Sequence, residues 1–96
     1  MEKEARKASV LEAAIVVAEK IGFANMRTKD IAEQAQCGYG TVTLYWSTMG
    51  QLRRAVMRAA IQQRKLRIIA VGLATGDKDA KKAPDELKRA ALATLG

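Results

Sequence analysis

The stretch Thr28–Ser47, TKDIAEQAQCGYGTVTLYWS, constrains the fold more than any other part of the 96-residue chain. Ile31, Ala32 and Ala35 fall at i, i+1 and i+4, the spacing of one face of a short helix. Gln36-Cys37-Gly38 interrupts that pattern, and a second one follows with Val42 and Tyr45 three residues apart and Trp46 beside them. Two short helices joined by a three-residue turn make a helix-turn-helix, whose second helix commonly lies in the major groove of DNA. Ala32 is small enough to let the helices approach. Ile31, Ala35, Cys37, Val42 and Tyr45 form the wedge between them, and Tyr39, Gly40, Thr43, Leu44 and Ser47 face the other way.

The flanking sequence supports a helical bundle. Residues 3–21 read as a first helix, with Leu11, Ala14, Ile15, Ala18 and Ile21 on the 3.6-residue period and Val10 and Val17 widening the stripe. Glu2 and Arg6 stand as an i,i+4 pair, and Lys3, Arg6 and Lys7 read as a solvated helix start rather than a DNA-reaching arm. Gly22 is placed to end this helix as a left-handed cap, with Phe23 folding back. Thr28 is the natural N-cap of the next helix and Gly38 of the one after. Gly40 has two open readings: tolerance of Gly in a first turn, or close approach of backbone to a ligand.

Charge is unevenly spread. The chain carries a formal +7, and residues 48–71 hold six basic side chains without an acidic one: Arg53, Arg54, Arg58, Arg64, Lys65 and Arg67. That balance points to a polyanionic partner. Arg53 and Arg54 lie closest to the second helix of the motif and are assigned to the DNA backbone. Met49–Val71 reads as one long basic fourth helix, with a heptad-like seam of Leu52, Val56, Ala59, Gln63, Leu66, Ala70 and Leu73. Met57, Ile61 and Ile68 form a second stripe, so one stripe is left for a partner. Residues 74–83 read as a linker between a 1–73 domain and a short C-terminal helix in 84–96, opened by Pro84 at its first position. The fold class is therefore all-α.

Several classes drop out. One Cys excludes an intrachain disulfide, and zero His removes the commonest metal ligand and general base. No metal or other cofactor is expected, no enzyme, and Cys37 reads as a small buried hydrophobe. The string GLATGDK lacks the spacing of a phosphate loop. The charged N-terminus is not a secretory signal, and apolar runs such as Ala13–Ala18 are far short of the ~20 residues that span a bilayer. A cytoplasmic location is expected.

From Val10 to Leu52 the chain resembles, without gaps, the DNA-binding domain of TetR-family transcriptional repressors. The residues that carry the resemblance are VLEAA at 10–14, Gly22-Phe23, TKDIAEQA at 28–35, Gly40-Thr41-Val42, Tyr45, Trp46 and Leu52. There are departures: Gln36 and Cys37 stand where the family usually has Gly and Val, and Gly38 where it has Ser. Thr43 replaces a Tyr, and Met49 a Lys.

By position, the resemblance makes Lys29, Tyr39, Gly40, Thr41, Thr43, Leu44 and Tyr45 the DNA-facing set. Thr28, Lys29 and Tyr45 are expected on phosphates, Tyr39 and Thr43 at base edges, and Leu44 on a thymine methyl. The family's larger inducer-binding domain has no counterpart in the sequence, so no small-molecule ligand is expected. The reading is a sequence-specific transcriptional regulator, a repressor that binds double-stranded DNA at an inverted repeat as a homodimer. Two alternatives remain open here: a DNA-coating or architectural protein of low specificity, and an adaptor that binds a protein or membrane surface through its basic helix.

Overall fold

The computed structural model describes residues 3–95, so Glu2 of the expected Glu2–Arg6 pair lies outside it. Six α-helices follow one another: α1 (Lys3–Ile21), α2 (Thr28–Ala35), α3 (Tyr39–Tyr45), α4 (Met49–Gln62), α5 (Leu66–Ala74) and α6 (Asp85–Ala93). Two 3-10 turns, Phe23–Asn25 and Ala80–Lys82, complete the order, and no strand occurs among the described residues. The all-α expectation holds. No described helix is long and apolar enough to cross a membrane.

The first helix has the bounds that its periodicity gives, and it buries Val10, Ala13, Ala14, Ile15, Val17 and Ala18. It packs against α2, α4 and α5, and one continuous cluster of apolar side chains joins it to all the later elements. Gly22 has the positive φ expected of it, 96°, but an extended ψ of 140°, so it directs the chain into the 3-10 turn instead of closing a left-handed cap. Phe23 and Met26 are then driven into the core.

The long fourth helix is the main correction. The segment Met49–Val71 is divided at Gln63-Arg64-Lys65, and α5 folds back on α4. Arg64 adopts a left-handed conformation (φ 55°). Its amide bonds to the Ile61 carbonyl at 3.3 Å, while the Lys65 amide reaches back to Ala60 at 2.8 Å. This is a Schellman closure, normally built on glycine. The same closure ends α2 at Gln36 (φ 56°), with Gln36 bonding to Glu33 and Cys37 to Ala32. A third ends α5 at Gly76 (φ 79°). Holding Arg64 left-handed costs about 1–2 kcal/mol. Burying Ile68, Ile69 and Ala70 of α5 offsets it, at roughly 1.5–3 kcal/mol for each large side chain.

Because α5 folds back, the second apolar stripe needs no partner: Met57 and Ile68 are both buried inside the chain's own core. Residues 74–83, expected as a linker, are packed in as well. Asp77 Oδ1 accepts from the amides of Asp79 and Ala80, both at 2.9 Å, and Ala80 and Ala83 are buried. Gly72 is where this segment crosses: a Cβ there would stand 2.4 Å from Met57 Cε and 2.9 Å from Ala80 Cβ. Pro84 precedes α6 as its N-cap, and Leu87 and Ala91 dock that helix while Leu92 and Leu95 stay exposed.

Candidate nucleic-acid interface

The second helix of the motif, α3, is held by two side chains. Val42 is fully buried and Trp46, just past the helix end, is 8% exposed. Its N-terminus is set by Gly38, which has the extended backbone of an N-cap (φ −78°, ψ 157°). With one flank fixed, the other points to solvent: Leu44 is 72% and Tyr39 61% exposed, far from the usual state of large apolar side chains. Thr41, Thr43 and Tyr45 are half-buried, and Tyr45 packs edge-on to Trp46 with ring centroids 6.0 Å apart. Around Gly40 nothing lies within 4 Å of a Cβ, so packing within the chain does not require glycine there.

Hydrogen bonding modifies one assignment. The Thr43 hydroxyl donates to the carbonyls of Gly40 (3.2 Å) and Tyr39 (3.4 Å), so its proton is already engaged with the helix backbone. What it leaves free is a methyl group and oxygen lone pairs.

The start of α4 is built as a cap. Thr48 Oγ1 accepts from the Gln51 amide at 3.1 Å, and Gln51 Oε1 accepts from the Ser47 amide and hydroxyl, both at 3.0 Å. The T-x-x-Q spacing carries this signal in the sequence. Thr28 is not a cap: α2 begins after Arg27, and the Thr28 hydroxyl donates to Met49 Sδ. Thr28 is half-buried and Lys29 exposed beside it.

The basic run is less free in space than in sequence. Arg54 and Arg58 share Asp79 Oδ1 at 3.7 and 3.8 Å, Arg64 meets Glu86 at 3.2 Å, and Lys65 meets Glu19 at 3.4 Å. Arg53, half-buried one turn beyond Met49, has no acid within ion-pair distance among the described residues. Thus Arg53 and Arg54, assigned together from sequence, differ in what they face. The structure also brings the exposed start of α1 beside α3: Lys3, Glu4 and Lys7 line a shallow cleft with Leu44 and Tyr45, and Lys7 Nζ sits 5.5 Å from the Trp46 ring centroid. The i,i+4 spacing of Lys3 and Lys7 on α1 was the available signal.

Residues 10–56 match the model of the family described as bacterial regulatory proteins, tetR family. Comparison with curated proteins and with solved structures gives no match.

Proposed function

We propose that this chain, which belongs through residues 10–56 to the tetR family of bacterial regulatory proteins and is a DNA-binding transcription regulator, acts as a repressor. It binds an inverted-repeat operator as a homodimer. The observation that carries this reading is the outward display of Tyr39 and Leu44 on a helix pinned from behind by Val42 and Trp46. Such a helix presents side chains to a groove without disturbing the core that holds it. Thr28 through its main-chain amide, Lys29, Tyr45 and Arg53 take phosphates around it; Lys3 and Lys7 extend that set. Tyr39, Thr43 and Leu44 meet the bases across the gap that Gly40 leaves open.

One recognition helix reads too few base pairs to single out a site, hence the two-fold operator. Selection of duplexes from random sequence, followed by footprinting and light scattering on the best binder, tests all of this. Two protected half-sites and two chains per duplex are the expected result. Equal affinity for selected and random DNA would replace this reading with a DNA-coating role, and one chain on one half-site would remove the dimer.

A further inference from the structure

The chemistry of α3 limits which operators it can read. Specific recognition in the major groove most often uses bidentate pairs: Arg or Lys on guanine, Asn or Gln on adenine, Asp or Glu accepting from cytosine. From Tyr39 to Tyr45 the helix is YGTVTLY, with no cation, no amide and no carboxylate. Its polar groups are hydroxyls alone, and that of Thr43 donates to the Tyr39 and Gly40 carbonyls. What remains outward is Tyr39, at 61% exposure, and above all the wholly apolar Leu44, at 72%. Only one feature of the major groove rewards an apolar side chain, and that is the C5-methyl group of thymine.

We propose that this chain reads its operator mainly through thymine methyl groups, with Leu44 as the residue that distinguishes thymine from the other bases. The inference rests on the DNA-binding reading above and names the class of site it selects: half-sites with thymine at the position under Leu44. Thr43 contributes in the same currency, through its methyl. A leucine left in water at the tip of a helix gains free energy only when it is covered, and a methyl in the groove covers it.

Deoxyuridine tests this directly, since it keeps every hydrogen-bonding group of thymine and lacks only the methyl. In the selected operator, each thymine is replaced singly by deoxyuridine and binding of the full chain is measured. At one or more positions affinity should fall about fourfold, the value of one buried carbon. Leu44→Ala should melt as the parent does and should bind the thymine and uracil duplexes equally at that position. Thr43→Ser, which keeps the hydroxyl and loses only the methyl, should weaken operator binding by about fourfold. Uracil operators bound as tightly as thymine operators would overturn the proposal, as would a Leu44→Ala variant that keeps the full preference for thymine. Failure to enrich any sequence would overturn the DNA-binding reading itself, a separate outcome visible before any base is changed.

Discussion

Thr28 Oγ1 donates to Met49 Sδ across 3.1 Å, which ties the first residue of α2 to the first residue of α4. The contact occupies the position where the resemblance drawn from the sequence leads one to expect Lys, and it joins the N-termini of the two helices that flank α3. Helix N-termini favour anions, and a lysine between two of them would be placed on a phosphate.

Met49→Lys should therefore fold, since Met49 is only half-buried. It should bind every DNA sequence more tightly and steepen the salt dependence by about one unit. A salt titration and a melting curve on the same variant check this. An unchanged salt slope with a lowered melting temperature would make Met49 a packing residue alone.

Gln36 and Arg64 sit where glycine is the natural residue. Gln36→Gly and Arg64→Gly should each stabilise the fold by about 0.5–1 kcal/mol, after the larger entropy of glycine in the unfolded chain is set against the relieved strain. For a domain of this size that is roughly 2–8 °C in melting temperature. Losing the exposed Arg64–Glu86 pair subtracts little from the second variant.

Gly72 should respond in the opposite way. Glycine to alanine inside a helix is ordinarily stabilising, but here the new methyl would meet Met57 and Ala80. Met57 can swing aside; the Ala80 Cβ cannot. Gly72→Ala should cost about 1–3 kcal/mol, seen as a loss of roughly 4–8 °C per kcal/mol in thermal melts.

Arg53→Ala should weaken binding to all sequences alike and lower the salt slope by about one unit. Arg54→Ala should do less, because its guanidinium already faces Asp79. Mobility shifts across a salt series for both variants separate them, and equal losses would mean that DNA draws Arg54 away from Asp79.

Much of the candidate site was legible because it is local. The spacing of Ile31, Ala35, Val42 and Trp46 and the Gly at 38 mark two short helices and the turn between them. What was missed is tertiary. Nothing in the sequence announces a helix end at Arg64, since the left-handed residue is not glycine and the return is stabilised by Ile68 and Ile69 finding a distant core. Once α5 turns back, Asp79, Glu86 and Glu19 reach cations that look unopposed along the chain. Lys3 and Lys7 are solvated, as their place at a charged helix start implies, but only the fold sets them beside Leu44 and Tyr45.

The reversal at Arg64 also bears on how many chains a fold like this needs. A single helix from Met49 onward would have left an apolar stripe that only a second chain could bury, and such proteins unfold upon dilution. Here Met57, Ile61, Ile68 and Leu87 join one cluster with the first helix, entirely within one chain. Folding should then be a unimolecular event, with a thermal midpoint that stays constant across a protein dilution series.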